Sequence, residues 1–259
     1  MSLSSGARGA VHHAKLFYRR FRPLRAELMR TVASLADGAT AFEIGGPSQI
    51  FGSDGVLPVY PLVASLDNAN FAAQTIWEGT IEEGYTFKFD SSKPPGRAFI
   101  CEAVELAPIG DASYDLVLSS HTLEHVANPL RALREWRRVL RPGGALVLVL
   151  PRREATFDHR RPITRLEHLA EDERAGTGED DETHLPEILD LHDLARDPGA
   201  GSRAEFEERS RQVLRYRALH HHVFDADLVA RALHHAGYDV LGSETQPPFH
   251  LITVATRRG

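Results

Sequence analysis

The chain has 259 residues, of which 42% are hydrophobic and 25% are charged, and its formal net charge at pH 7 is -6. This fits one large α/β domain, or one domain with an insertion, and the acidic balance disfavours a general nucleic-acid-binding protein. The lone cysteine, Cys101, excludes an internal disulfide framework. No apolar run approaches the roughly 18 residues that span a bilayer, and the first residues lack the apolar core of a secretion signal, so we expect a cytoplasmic protein.

The N-terminal part of the chain is basic and aromatic between Lys15 and Arg30, and helical spacing continues to Gly38. We interpret residues 1–39 as a helical segment whose apolar face packs on the domain. A contact surface for an anionic substrate or a membrane is the alternative.

Three short apolar runs in the first half predict strands that each lead to an acidic side chain. Thr40–Ile44 is typical of a buried strand, contains Glu43 and ends at a glycine pair. The run "GVLPVYPLVASLD" predicts a second strand that ends at Asp67, and "RAFIC" predicts a third that leads to Glu102. Residues 68–97 show no regular spacing between these strands.

The glycine pair, Gly45 and Gly46, lacks the third glycine of the G-x-G-x-x-G dinucleotide motif. No Gly-Lys-Ser/Thr phosphate cradle occurs elsewhere in the sequence. Nicotinamide dinucleotides and ATP are therefore disfavoured, whereas a ligand without phosphates needs only the close backbone approach that glycine allows. Taken alone, an ordinary tight turn explains the pair as well.

The second half alternates strands with helices. Ser113–Ser120 is predicted as a strand, a helix follows from Asn128 as its cap, and "ALVLVLP" is typical of a strand covered on both faces. A helix capped by Asp225 and two closing strands complete the chain. This alternation predicts a mostly parallel, doubly wound sheet.

The pattern breaks between residues 152 and 222, where the chain is rich in charge and histidine. We predict an inserted segment of helices and loops that covers a substrate, because it follows a strand's carboxyl end, where such sheets bind ligands. The predicted core is then formed by residues 40–151 and 223–259.

The order of these features, with "SYDLVLSSHTLEHV" and "RVLRPGGALVLVLP", resembles class I S-adenosylmethionine-dependent methyltransferases. The resemblance covers roughly residues 40–150 and the closing helix and strands from residue 223, although the glycine turn departs from the family's usual G-x-G-x-G. It implies an α/β fold with a doubly wound, mostly parallel, seven-stranded Rossmann-like sheet, and S-adenosylmethionine as the cofactor.

The resemblance also implies cofactor contacts at the strand ends. Glu43 would orient the methionine end, Asp67 would accept hydrogen bonds from the ribose hydroxyls, and Glu102 would meet the adenine edge. Acids that merely end strands are the alternative interpretation. The other implied cofactor contacts are the backbone of Gly45, Gly46, Pro47 and Ala103 and the residues Asn68, Ser119, Ser120 and His121.

Methylation of a hydroxyl releases a proton, so a general base, typically histidine, is expected. The candidates are His121, just beyond the fourth strand, and His159, with Asp158 beside it to orient a ring. His125 follows His121 by one helical turn, with a packed structural histidine as the alternative. The predicted substrate contacts are His125, Arg160, Arg161 and His221, and ordinary surface arginines are the alternative for the two arginines.

A metal site is the other chemistry that the histidines suggest. His184 and His192 with Asp180, Asp181 and Asp193 could supply imidazole and oxygen ligands, but their spacing matches no metal motif. The consecutive histidines at 220–222 cannot all face one ion in regular structure. We therefore predict no required metal.

The acceptor is indicated by a second resemblance, to bacterial methyltransferases of polysaccharide and glycolipid assembly. It is carried by "LPVYPLVASLDNANFAAQTIWEG", by "TFDHRRPITRLEHL" with "GEDDETHLPEILDLHD", and by "LHHHVFD". It implies O-methylation of a sugar hydroxyl, free or lipid-linked, and Phe71, Trp77 or Tyr85 could stack on a sugar face. A natural-product or quinone hydroxyl, or a non-catalytic binding module, are the alternatives.

Overall fold

The computed structural model describes residues 26–75 and 78–259, and its elements are as follows. The helices are α1 (Ala26–Ala36), α2 (Pro129–Val139), α3 (Leu166–Ala175), α4 (Leu185–Leu191), α5 (Arg203–Ser210), α6 (Val213–Tyr216) and α7 (Ala226–His235). The strands are β1 (Thr40–Ile44), β2 (Ser65–Asn70), β3 (Gln74–Thr75), β4 (Gly79–Thr80), β5 (Gly84–Phe87), β6 (Gly96–Ile100), β7 (Tyr114–Ser120), β8 (Leu140–Pro151), β9 (Tyr238–Gln246) and β10 (His250–Arg257).

Eight of these strands form one sheet in the order β5-β6-β2-β1-β7-β8-β10-β9, while β3 and β4 make a small hairpin. The five strands from β6 to β8 are parallel neighbours, and β5, β10 and β9 pair antiparallel at the two sides. The predicted α/β class with a mostly parallel sheet is confirmed. The predicted count of seven strands is wrong, because the short edge strand β5 carries exposed residues and leaves no apolar pattern in the sequence.

The second strand lies later in the chain than the sequence predicts. Residues 55–64 form turns that bury Leu57, Val59 and Tyr60, and the strand begins only at Ser65. Pro58 and Pro61 lack the backbone donors of a sheet ladder, which explains why this apolar run is not a central strand. As a result, β2 ends at Asn70 and Asp67 lies inside it.

Two apolar layers cover the sheet, one on each face. In β8, Leu146, Leu148 and Leu150 pack with α2, α3 and α7, while Val147 and Val149 pack on the other face, where α1 lies. A third apolar cluster lies wholly inside the insertion and is built by Leu185, Ile188, Ala200, Phe206, Val213 and Leu219. The insertion therefore has an apolar core of its own.

Part of the predicted N-terminal helical segment is described, as α1, which buries Leu28, Val32 and Ala36. Most of the basic stretch, residues 15–25, and Trp77 lie outside the described residues. No helix in the described part of the chain combines the length and apolar character needed to cross a membrane.

Candidate functional site

The glycine turn after β1 is shaped by contacts that leave no room for side chains. Gly45 and Gly46 have φ values of +81° and +84°, in the left-handed region that favours glycine. A Cβ on Gly45 would lie 2.7 Å from Thr122 Oγ1, and one on Gly46 would collide with the Glu43 carboxylate. The turn therefore requires both glycines, and Pro47 follows through a cis peptide bond.

Two asparagines of β2 hold the turn from the neighbouring strand. The Asn68 amide donates to the Gly45 carbonyl, and the Asn70 amide donates to Asn68 Oδ1 at 3.0 Å and to the Gly46 carbonyl at 3.4 Å. Asn70, at the true end of the strand, has no counterpart among the residues predicted for the site, because the sequence placed this end at Asp67.

Asp67 itself points away from the turn, since successive side chains of a strand face opposite sides. Its Oδ1 accepts from the Arg97 backbone N–H at 2.7 Å, and its Oδ2 accepts from the Tyr114 hydroxyl at 2.9 Å. The prediction that Asp67 ends a strand is therefore wrong, and its carboxylate is already engaged within the fold.

Glu43 is fully buried beneath the turn at 0% exposure. Its carboxylate accepts from the Tyr60 hydroxyl at 2.7 Å and from the Ser48 N–H at 3.2 Å. Burial raises the pKa of Glu43 to about 7, although these hydrogen bonds oppose the shift. Both hydrogen-bond donors are uncharged, so a cation nearby would further stabilise the ionised form of Glu43.

His121, at the end of β7, has a left-handed backbone with φ +52° and lies beside a second histidine. Its Nε2 is 3.0 Å from Nδ1 of His250, the first residue of β10. Burial, and then His250, lower the pKa of His121 to about 3, so the ring is neutral at physiological pH. Sequence reasoning missed His250; the antiparallel direction of the last strand, which starts where β8 ends, is the signal that could have found it.

Glu124 lies behind His121 and is the second deeply buried acid of the site, at 1% exposure. Its Oε1 is 3.7 Å from His121 Nδ1, and neither carboxylate oxygen has a hydrogen-bond partner among the described residues. Burial raises the pKa of Glu124 to about 7. The ring of His125 donates from Nδ1 to the Leu219 carbonyl at 3.0 Å, because a carbonyl can only accept.

Asp158 does not orient His159 as the sequence suggested. Its carboxylate binds His220 Nδ1 and Arg161 Nη1 instead, the latter at 3.1 Å. Burial opposes ionisation of Asp158, but these cationic partners lower its pKa to about 2. Burial likewise opposes the charged form of His220, but the Asp158 carboxylate raises its pKa.

Arg161 is buried, with only 1% of its surface exposed, so it is not a surface residue. Its guanidinium donates to Glu187 Oε1 at 2.8 Å and to the carbonyls of His220 and His221 at 2.7 and 3.1 Å. Arg161 therefore ties three segments of the insertion together, and the prediction that it contacts the substrate does not fit its burial.

The His159 ring binds Asp193, another residue of the insertion, rather than Asp158. Its Nε2 is 2.8 Å from Asp193 Oδ2, and Arg160 Nη2 is 3.4 Å from the same oxygen. Arg160 is about half exposed and remains accessible to an acceptor. His221, also predicted to contact the substrate, is buried with its Nδ1 3.8 Å from Asp181 Oδ2.

The metal ligands considered from the sequence are not brought together. His192 Nε2 is 3.2 Å from Asp197 Oδ2, and Asp193 holds His159. His184 lies instead with His168, Asp172 and His222. The three consecutive histidines face three different acids, namely Asp158, Asp181 and Asp172.

Arg217, a residue of the insertion that the sequence did not indicate, links the loop after β6 to the insertion. Its guanidinium contacts Glu102 Oε1 at 2.6 Å and Glu179 Oε2 at 2.5 Å, and lies 5.3 Å from the centre of the Phe71 ring. The Ala103 carbonyl accepts from Trp136 Nε1 at 3.0 Å, which fixes the loop after β6. Ser119 and Ser120 lie at the end of β7, and Ser119 is fully buried.

Comparison with known proteins decides which family this arrangement resembles. Residues 64–148 match the model of a methyltransferase domain family. The match extends over about a third of the chain. The match supports the resemblance to class I methyltransferases and the predicted cofactor, S-adenosylmethionine.

Parts of the chain are similar to methyltransferases of other bacteria. A malonyl-[acyl-carrier protein] O-methyltransferase of Laribacter hongkongensis is 32% identical over 114 residues, which is 40% of this chain and 34% of the relative. An uncharacterized methyltransferase of Mycolicibacterium gilvum is 45% identical over 51 residues, or 20% of each chain. The chain spans about a third or less of the length of these curated relatives.

A solved structure shares the fold over the whole chain. The Burkholderia thailandensis 1,6-didemethyltoxoflavin-N1-methyltransferase, with bound 1,6-didemethyltoxoflavin and S-adenosylhomocysteine, aligns with a TM-score of 0.50 at 14% identity. The alignment covers 100% of this chain and 93% of that one. At this identity the likeness concerns the fold alone.

Proposed function

We propose that this chain transfers a methyl group from S-adenosylmethionine to a hydroxyl oxygen of a sugar or saccharide, with His121 as the general base. The proposal is carried by one juxtaposition at the end of β7. A neutral histidine is backed by a buried glutamate that has no hydrogen-bond partner among the described residues, and the adjacent Thr122 contacts the glycine turn after β1.

The residues around the turn fit the proposed cofactor. Close contacts require glycine at positions 45 and 46, and the absence of side chains there would let a ligand approach the backbone. The buried carboxylate of Glu43 would interact favourably with a cationic group. Asn70 and Glu102 supply polar groups at the ends of β2 and beyond β6. When bound, S-adenosylmethionine supplies a methyl group on a positively charged sulfur that is a good leaving group.

His121 is the better placed of the two predicted bases. Thr122, its neighbour, touches Gly45, whereas His159 is held by Asp193 in the insertion. In its neutral form His121 can accept the hydroxyl proton at Nε2, where the acceptor hydroxyl would replace the contact with His250 Nδ1. With Nδ1 protonated, the ring faces Glu124, whose carboxylate would stabilise the imidazolium that forms.

A polar acceptor suits the insertion that flanks this site. His125, Arg160 and the His250 ring offer hydrogen-bonding groups near the β7 and β8 ends, and a sugar presents several hydroxyls. The exposed Tyr85 remains a candidate stacking surface. The name of the Laribacter relative assigns it transfer to oxygen, which agrees with an oxygen acceptor here.

The proposal is tested with the purified chain and cofactor carrying a labelled methyl group. Separate reactions receive free sugars, nucleotide sugars, lipid-linked saccharides, phenols and quinols, a carboxylate acceptor and protein. We expect label on a saccharide hydroxyl. Label on phenols or carboxylates alone would overturn the sugar assignment, and failure to bind S-adenosylhomocysteine would overturn the methyltransferase assignment altogether.

The base is tested with His121→Asn, because asparagine tolerates the left-handed backbone at this position. We expect kcat to fall about 100- to 10,000-fold while cofactor affinity stays within about threefold. Ionisation of Glu124 should raise kcat of the wild type as the pH increases through about 7. Glu124→Gln should remove this rise, measured at saturating cofactor. His159→Asn is the matched variant, and a larger kcat loss there than at His121 would transfer the role to His159.

A further inference from the structure

Four side chains of the insertion converge at a point that the proposed methyl transfer does not use. His168 and Asp172 lie one turn apart on α3, His184 directly precedes α4, and His222 lies in the segment that leads to α7. One ligand atom from each lies within 4.8 Å of all the others. The four come from three separate segments, so the fold itself brings them together.

Three of the six separations are close to those of ligands around one small ion. His168 Nε2 is 3.1 Å from His184 Nε2 and 3.6 Å from Asp172 Oδ2, and His222 Nε2 is 3.1 Å from Asp172 Oδ2. Four ligands that each lie about 2.1 Å from a tetrahedral ion are about 3.4 Å apart. Small movements of the rings would therefore complete the coordination.

Groups outside the cluster hold Asp172, one of the four side chains. Thr177 donates to Asp172 Oδ1 at 3.2 Å, which leaves Oδ2 directed at the histidines, and the Asn128 amide donates to the Asp172 carbonyl at 3.0 Å. Asp172 is also buried, at 7% exposure, where a carboxylate needs cationic or hydrogen-bonding partners. Such outer partners are typical of ligands in metal sites.

We propose that His168, Asp172, His184 and His222 bind a structural zinc ion, contrary to the expectation from sequence alone. Three imidazoles and one carboxylate favour a nitrogen-preferring ion such as Zn²⁺ over Ca²⁺ or Mg²⁺, which take oxygen ligands. Because the protein supplies all four ligands, the site is closed and stabilises the insertion without reacting. This proposal does not depend on the methyl-transfer assignment.

The zinc content of the untagged chain, expressed in zinc-supplemented medium, tests the proposal. We expect about one zinc ion per chain. Removal of the ion by a chelator should lower the melting temperature, and added Zn²⁺ should restore it. Replacement by Co²⁺ should give the intense visible absorption of a tetrahedral site.

Matched variants separate this site from adventitious binding. His168→Gln and His184→Gln should each weaken zinc binding more than the 10- to 100-fold typical of a lost outer partner. His235→Gln, a partly exposed histidine on α7, should keep the full zinc content. Equal losses in all three variants would overturn the site.

The intact chain provides the decisive measurement if a variant fails to fold. Wild-type protein that takes up no zinc from buffered Zn²⁺, shows no tetrahedral cobalt spectrum and melts at the same temperature with and without chelator would overturn the proposal. Any of the three positive results on the wild type, together with retention in His235→Gln, supports it.

Discussion

Glu43 and Glu124 have been given the same unusual property by burial, a pKa of about 7, but they serve different partners. Glu43 lies under the glycine turn and Glu124 lies behind His121. At neutral pH each acid is present in both its neutral and its ionised form, so a cation nearby will shift the equilibrium toward the ionised form.

For Glu43 this predicts cofactor binding that depends on pH. A cationic ligand prefers the ionised acid, so affinity for S-adenosylmethionine should rise between about pH 6 and pH 8, approaching tenfold per unit below the pKa. Glu43→Gln should abolish the dependence and weaken binding at pH 8 by about 10- to 100-fold. Isothermal titration calorimetry measures both effects.

The control for this measurement is Glu82→Gln, which changes an exposed acid and should leave the pH dependence intact. Affinity of the wild-type chain that stays constant across this range would contradict the prediction.

Residue placement was predictable where it followed from strand ends. Glu43, Gly45, Gly46 and His121 lie where the apolar runs placed them. The sequence pattern misplaces Asp67 because the apolar run before it contains two prolines and does not form a strand. The strand β2 ends three residues later than predicted, at Asn70. The pairing of Asp158 with His220 and that of His159 with Asp193 could not be predicted from adjacency, because each pair is separated by more than thirty residues in the sequence.

At the scale of elements, Arg217 joins the insertion to the core. It has a left-handed backbone, with φ +49°, just after the short helix α6, and its two arms reach Glu102 and Glu179. A single guanidinium thus holds a carboxylate beyond β6 and one in the insertion, which is the geometry that its forked donors allow.

Arg217→Ala should therefore weaken S-adenosylhomocysteine binding about tenfold, because Glu102 and Phe71 lose the group that positions them. Arg217→Lys should be intermediate, since a lysine keeps the charge but not the fork. Fluorescence or calorimetric titration provides the affinities. The neighbouring Arg215→Ala is the control, and unchanged affinity in Arg217→Ala would show that the bridge does not support the cofactor site.

Elements with a strong local signal were predictable, and those that depend on distant partners were not. α2 has an asparagine cap, a proline in the first position and an apolar face, and it forms as expected. β5 buries only Phe87 of its four residues and depends on pairing with β6, and the contacts of Arg217 depend on how the insertion folds back. Neither feature has a sequence period that could reveal it.

At the scale of the whole molecule, two apolar layers stabilise the sheet and a separate cluster stabilises the insertion. Polar contacts join the parts, and the ion pair of Arg217 with Glu102 is one of them. Separate apolar cores permit local opening of one part at a lower free energy than global unfolding.

Phe206→Ala tests this division. The ring is buried in the insertion's cluster, and removal of a buried phenylalanine costs about 3–5 kcal/mol. Hydrogen exchange should accelerate in residues 185–219, while β1, β7 and β8 keep their protection. Val147→Ala, in the sheet, should instead lower protection globally, and equal loss everywhere in Phe206→Ala would show that insertion and sheet unfold together.

The asparagines that hold the glycine turn have a thermodynamic consequence. Asn68 and Asn70 fix the carbonyls of Gly45 and Gly46 by hydrogen bonds from the neighbouring strand. The conformational entropy of this turn, which glycine makes large, is therefore lost during folding and not during binding. A cofactor meets a preorganised surface, so more of its contact energy is expressed as affinity.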